Sequence, residues 1–269
     1  MNVVALLTIR NEELYLERCL DHLISQGIKV FLTDNGSTDR SLDIAKKFLG
    51  RGVIRIDHLP YQGNFEWLKV LRNKERAAGA IEADWFIHHD ADEIREAPAP
   101  YTSLLEGIQH ADRKGYNAID FDEFVFLPVN DRDDHESGDY VDQMKYYYFF
   151  RPQEFHRINA WKRTSKPLCL TCSGGHRVEF KNRKVFPVKF TLRHYIALSR
   201  EHAIKKYSVS RVYSPFETDV LGWHGPRAGF LPKNLRLPSP DRLKIVGSGG
   251  HWDRSEPWTS HEFLGGVPL

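Results

Sequence analysis

At 269 residues, 41% hydrophobic and 28% charged, the chain has ordinary globular composition and a length that suits one elaborated α/β domain. Its 38 Lys and Arg against 36 Asp and Glu leave a net charge of +2, which excludes a general electrostatic attraction to nucleic acid. No segment approaches the roughly 18 apolar residues that a membrane helix requires, so no transmembrane helix is expected, and peripheral association with a membrane is compatible with the sequence.

Met1 to Ile9 is apolar but lacks the basic start and small-residue cleavage site of a signal peptide, and Arg10, Glu12 and Glu13 follow at once. It reads as a core strand of a cytoplasmic protein. Cys19, Cys169 and Cys172 are too few for a disulfide framework and fit free thiols in a reducing compartment. Cys169, Cys172 and His176 have the spacing of half a zinc site, but no second pair completes it.

Val3 to Ile9 is a continuous apolar run of the kind found in a parallel strand buried on both faces. Leu16, Cys19, Leu20, Leu23 and Ile24 then recur at helical spacing up to Gly27. Val30 to Leu32 predicts a second strand, Asp34 to Asp39 a polar turn, and Leu42 to Leu49 a second helix closed by Gly50. A third strand at Val53 to Ile56, a helix around Trp67, Leu68 and Leu71, and a fourth strand at Trp85 to Ile87 continue the alternation, followed by one more helix beyond Pro100. Such a pattern predicts a doubly wound, mainly parallel sheet. After Asn117, aromatic runs at 119–127, 146–150, 158–161 and 185–192 predict an antiparallel or mixed extension, with a charged loop at 130–139 and a helix at 199–213. The expected organisation is one domain over 1–222, divided into 1–97 and 98–222, with an irregular tail at 223–269 ordered by aromatics such as Trp252 or Trp258.

Ligands of open parallel sheets bind beyond the carboxyl ends of the strands, so the residues after each apolar run carry the functional signal. Here Thr8 leads into Arg10, Asn11 and Glu12, the second strand ends in Asp34, and the fourth runs into Asp90-Ala91-Asp92. No G-x-G-x-x-G or G-x-x-x-x-G-K-[ST] is present to cradle a phosphate with glycines. A diphosphate would then need a divalent cation held by carboxylates. If the acidic pair is extended, its carboxylates lie roughly 6.6 Å apart along the strand, so one holds the cation and the other takes a ribose hydroxyl or a bound water.

Leu7-Thr8-Ile9-Arg10-Asn11-Glu12, Asp34-Asn35-Gly36-Ser37-Thr38-Asp39 and Asp90-Ala91-Asp92 together resemble, in order and separation, the first-strand, second-strand and DxD motifs of family-2 glycosyltransferases. Gly174-Gly175-His176 and Arg193-His194-Tyr195 are similar to a bacterial branch of these enzymes. The resemblance implies a GT-A α/β fold and inverting transfer of a sugar from a nucleotide donor, typically a uridine diphosphate sugar, to a saccharide or other hydroxyl acceptor, in the synthesis of a surface polysaccharide or glycoconjugate. It implies that Thr8, Arg10, Asn11, Glu12, Asp34, Asn35 and Ser37 border the nucleotide, with Asp34 accepting from the base, Arg72 touching the nucleotide and Asp90 near ribose. Asp92 and His194 are implied as ligands of Mg²⁺ or Mn²⁺, and Arg200 and Lys205 as covers for the diphosphate. An acidic general base is also implied; Asp122 and Glu123 are the first candidates, Glu179 another, and His176 a candidate at the acceptor site.

Three other readings compete. A nucleotidyltransferase shares the sheet but carries a glycine-rich loop after its first strand, which Thr8 to Glu13 lacks. A non-catalytic nucleotide-sugar-binding module would bind donor without turnover. A metal-dependent phosphoesterase calls for a dinuclear ligand pattern that the sequence does not display.

Overall fold

The computed structural model describes residues 1–152, 157–247 and 251–264. These fall into two units, the first made of 1–62, 67–122 and the described residues up to 192, the second of 63–66, the described residues from 123 to 152, and those from 193 onward.

In the first unit the initial apolar run forms β1 (Val3–Ile9), with six of its seven residues buried. α1 (Leu16–Ser25) buries Leu16, Cys19, Leu20 and Leu23, the stripe its spacing predicts. β2 (Lys29–Asp34), α2 (Ser41–Lys47), β3 (Val53–His58), α3 (Trp67–Ala80) and β4 (Trp85–His89) follow. The chain continues through β5 (Glu93–Glu96), α4 (Leu104–Arg113) and β6 (Ala118–Ile119). Ser103 caps α4, accepting the Glu106 N–H through its hydroxyl at 3.2 Å.

The resulting sheet has the order β3-β2-β1-β4-β9-β6, where β9 is Ala160–Lys162. β1 pairs in parallel with β2 and β4, β2 with β3, and β9 runs antiparallel to both β4 and β6. From β1 the chain builds outward through β2 and β3, then returns to lay β4 on the opposite flank of β1. The strand order therefore reverses at β1 and β4, the switch point beyond whose carboxyl ends open α/β sheets place their ligand crevice.

β7 (Phe121–Phe126) begins in the first unit and ends in the second, as does β12 (Phe190–Tyr195). Within the second unit β7 pairs antiparallel with β8 (Tyr146–Phe150), which follows the short α5 (Tyr140–Gln143), and β8 pairs with β13 (Lys244–Ile245). Their core gathers Val125, Tyr148, Phe150, Ile196, Tyr207, Phe230 and Phe263. Beyond Trp223 the described chain is largely irregular, and its aromatics dock: Trp258 stacks on Tyr148 at 4.3 Å and Trp252 on Phe124 at 4.6 Å. Part of the expected tail, 248–250 and 265–269, lies outside the described residues. No described helix is long and apolar enough to cross a membrane.

Three expectations need correction. The helix predicted for 199–213 is α6 (Arg200–Ile204) followed by one π-turn at Lys205–Val209, where the Ser208 hydroxyl donates to the Ile204 carbonyl at 2.6 Å and competes with the main-chain ladder. The last aromatic strand spans Phe190–Tyr195 rather than 185–192, because Pro187 lacks the N–H a ladder requires and Val185 makes only an isolated bridge to Ala118. Cys169 and Cys172 are joined by a disulfide, which replaces the expected free thiols and occupies the sulfurs a zinc ion would need. That bond also removes the argument from cysteine content for a reducing compartment. Cys19 alone is free, and it is buried.

Candidate functional site

The parallel registers fix where the strand ends meet. Ile9 of β1 is level with Asp34 of β2, and Leu7 is level with His89 of β4. Asp34 and the start of the acidic turn thus share the carboxyl edge, separated by two strand spacings, about 10 Å.

On the β2 side, the Asp34 carboxylate is buried and accepts the N–H groups of Gly36 at 3.2 Å and Ser37 at 3.1 Å. This Asx-type turn needs Gly36 in the left-handed region, at φ +68°, where a side chain would also crowd Tyr61 at 3.1 Å. His58, at the end of β3, brings Nδ1 to 3.7 Å from the same carboxylate. The loop after β1 clasps this turn: Asn11 Oδ1 accepts the Thr38 N–H at 2.7 Å, and the Asn11 N–H donates to Ser37 Oγ at 3.2 Å. The Glu12 N–H donates to Ser41 Oγ at 2.7 Å. Arg10 donates to the carbonyl of Asn35 at 3.1 Å and lies over the ring of Tyr61, 3.3 Å from its centroid. Asn35 donates to the Leu59 carbonyl at 2.9 Å. Thr8 Oγ1 is enclosed without a hydrogen-bond partner among the described residues.

On the β4 side, Asp90-Ala91-Asp92 is a turn rather than the extended segment the strand argument assumed, closed by the Glu93 N–H donating to the Asp90 carbonyl at 3.2 Å. The extended-chain separation of the two carboxylates therefore does not apply. Asp92 is buried, while 36% of the Asp90 side chain reaches solvent. Glu93 accepts the Asp90 N–H at 3.0 Å and pairs with wholly buried Arg95 at 2.7 Å, holding the turn from beneath.

Of the four basic residues on α3, Lys69, Arg72, Lys74 and Arg76, Lys74 alone is buried, whereas Arg72 is exposed. Lys74 Nζ lies 3.2 Å from Asp90 Oδ1, 2.9 Å from the His89 carbonyl and 3.1 Å from His88 Nδ1. Sequence reasoning passed over it, although the signal was there: Lys74 falls in the helical slot shared with buried Val70, Leu71, Ala77 and Ala78. Burial, then the nearby Lys74 ammonium, pushes the His88 pKa well down. His88 is therefore a neutral acceptor at Nδ1, and its proton sits on Nε2.

A hairpin of β10 (Leu168–Cys169) and β11 (Glu179–Phe180) brings a further part of the first unit to α3. The Leu170 and Thr171 N–H groups donate to Glu75 Oε1 at 2.6 and 3.0 Å, and Trp67 Nε1 donates to the Gly174 carbonyl at 2.7 Å. Gly175 is buried at the tip, at φ +89°, and Asn159 donates to its carbonyl at 3.1 Å. His176 beside it is exposed, with Nδ1 2.6 Å from Arg157.

The acidic residues considered as bases are held differently. Lys189 pairs with Asp120 at 2.9 Å and lies 3.5 Å from Asp122. In the second unit Glu123 and His194, expected separately as base and metal ligand, are each other's partners at 2.7 Å, with the Glu123 carboxylate fully enclosed. Glu179 is engaged by Arg177 at 2.6 Å and by Arg183. Arg200 pairs with Asp131 at 3.0 Å.

A mainly parallel α/β sheet with buried and half-buried carboxylates beyond the ends of β2 and β4 is the arrangement expected of the GT-A type. Residues 5–183 match the family described as Glycosyl transferase family 2, and the chain belongs to that family. Among solved structures, S. aureus TarS is similar at 12% identity and a TM-score of 0.43, over 78% of this chain and 40% of that one. The chain thus spans two fifths of that protein's length. Residues 1–349 of the same protein, in complex with UDP, align at 13% identity and a TM-score of 0.44 over 84% of this chain and 78% of that one. Glucosyl-3-phosphoglycerate synthase from Mycobacterium tuberculosis, in complex with Mn²⁺, uridine-diphosphate and phosphoglyceric acid, aligns at 18% identity and a TM-score of 0.31, covering 46% and 43%. Likeness at these identities concerns the fold alone. No curated protein matches the chain.

Proposed function

We infer that the chain transfers a sugar from a nucleoside diphosphate, with uridine diphosphate as the carrier, to a hydroxyl acceptor with inversion at the anomeric carbon. The observation that carries this reading is the placing of Asp34 and the acidic turn on one sheet edge, flanking the crevice after β1, within the segment that belongs to the family.

On this reading Asp34 accepts from the base, with Thr8, Arg10, Asn11, Glu12, Asn35 and Ser37 around it. The enclosed, unpartnered hydroxyl of Thr8 suits a ligand atom as its missing partner. Asp90 faces the ribose. His176 belongs to the acceptor side, and Asp122 is the better placed base because the Glu123 carboxylate is enclosed against His194.

The residues also fit a divalent cation. Among the described residues no three His, Cys, Asp or Glu side chains gather closely enough to cage an ion. Magnesium and manganese do not require such a cage, since one or two carboxylates with substrate phosphates and waters suffice. Asp92 would hold the ion, which when bound supplies charge to stabilise the departing diphosphate. The chain's own part is to orient the nucleotide across the β1 crevice and to take the proton from the acceptor hydroxyl.

The test is thermal stabilisation by UDP with manganese. Ligand at a hundred times its Kd adds about 2.7 kcal/mol to the native state. The wild type should show this gain and Asp92→Ala should lose it; an equal response from both proteins would remove Asp92 from the site.

A further inference from the structure

We propose that Lys74 is a positioning residue which neutralises and aims the Asp90 carboxylate, leaving Asp92 as the carboxylate of the pair that answers to the cation.

The inference rests on the nucleotide reading above, and its own evidence is geometric. Lys74 is 2% exposed, and its ammonium has three acceptors within hydrogen-bond distance: Asp90 Oδ1, the His89 carbonyl and His88 Nδ1. An ammonium has three protons to give, so the set is complete. Two of the three acceptors belong to the end of β4, the main-chain carbonyl of His89 and the ring of His88, and these fix Nζ relative to the sheet. The third is the rim carboxylate. Asp90 is thus tied through Lys74 to the strand that delivers it, while more than a third of its side chain stays open to solvent.

Burying a lysine in an apolar helical slot is costly, and a methionine there would pack against Val70, Leu71, Ala77 and Ala78 without desolvating a charge. Packing therefore does not account for the lysine. What it changes is the carboxylate. Two unneutralised aspartates beside a diphosphate would repel it, and a single cation at Asp92 leaves the Asp90 charge in place. With Lys74 against one face, Asp90 offers its other face as an oriented acceptor for a sugar hydroxyl. The neutral state of His88 belongs to the same arrangement, because a protonated ring would oppose the ammonium.

The test is a double-mutant cycle on UDP binding, measured by calorimetry with manganese present, using Lys74→Met, Asp90→Asn and the pair. Lys74→Met should weaken UDP binding by about tenfold, the order of one charge-assisted hydrogen bond. In the Asp90→Asn background the same change should cost nothing further, because its target has gone. That comparison stands even if Lys74→Met alone folds poorly, since the paired variant leaves no buried charge without a partner. Equal UDP affinity of Lys74→Met and wild type, or losses that multiply in the paired variant, would overturn the proposal. If instead the wild type itself fails to bind UDP, it is the nucleotide reading that falls, and this inference goes with it.

Discussion

Glu93 Oε2 accepts the main-chain N–H of Asp90 at 3.0 Å, so the acidic turn at the end of β4 is held by a carboxylate lying beneath it. The same oxygen accepts from Arg95 at 2.7 Å, and Arg95 is wholly buried, with further bonds to His89 Nδ1 at 3.1 Å and Asn159 Oδ1 at 3.3 Å. Replacing Glu93 by Gln leaves the guanidinium buried without a counter-charge. Breaking such a pair costs about 3–5 kcal/mol. Denaturant unfolding of Glu93→Gln should show that loss with an unchanged dependence on denaturant, and UDP affinity should fall with it. A variant as stable as wild type would mean that the turn does not depend on this carboxylate.

The two histidines that end β4 make acid stability a second test. Burial first, and then neighbouring cations, push the pKa of both His88 and His89 well below the ordinary 6.5. In the unfolded chain both recover that ordinary value. Above about pH 6.5 neither state binds these protons and they contribute no slope. Below it the unfolded chain takes up protons that the folded chain refuses, so stability falls as pH falls toward the depressed native values. The limiting slope is about 1.4 kcal/mol per pH unit for each histidine. Unfolding free energies at pH 7.5, 6.5 and 5.5 should therefore be nearly level across the first interval and drop across the second. A protein equally stable at pH 5.5 and 6.5 would contradict the buried neutral state of this pair.

Those histidines also mark where the sequence could be read and where it could not. The apolar run of β1 and the Asp34 turn are local signals, since strand burial and turn chemistry are decided within a few residues, whereas the turn at Asp90-Ala91-Asp92 depends on Glu93 accepting the Asp90 N–H. The Glu123 and His194 pair joins residues 71 apart, and it exists because β7 and β12 lie side by side, which aromatic runs do not reveal. Family likeness points to Arg72 at the nucleotide and is silent on Lys74, which contacts Asp90. Helical phase separates the two, turning one side chain outward and the other toward the sheet. The Cys169 and Cys172 bond is not legible in a count of cysteines, which says nothing about a three-residue separation closed by a turn, here Thr171–Ser173.

The last test concerns Gly175, at the tip of the hairpin that carries the disulfide. At φ +89° its backbone lies where side chains are strained, and a Cβ there would meet Leu71 Cδ2 at 3.0 Å, Trp67 Cζ2 at 3.2 Å and His88 Nε2 at 3.4 Å. Leu71 and Trp67 are on α3, the helix of Lys74, and His88 is the acceptor of the Lys74 ammonium. Gly175→Ala therefore strains the hairpin and presses on the groups that set the Asp90 carboxylate. Backbone strain and overpacking together cost about 2–4 kcal/mol, and donor affinity should fall alongside stability. Gly79→Ala is the control, because that glycine lies on the same helix with open space around its Cβ position; it should hold wild-type stability or exceed it through better helix propensity. If Gly175→Ala behaves like Gly79→Ala in both unfolding and UDP titration, the hairpin tip does not support the floor of the site, and His176 loses its structural link to the β4 rim.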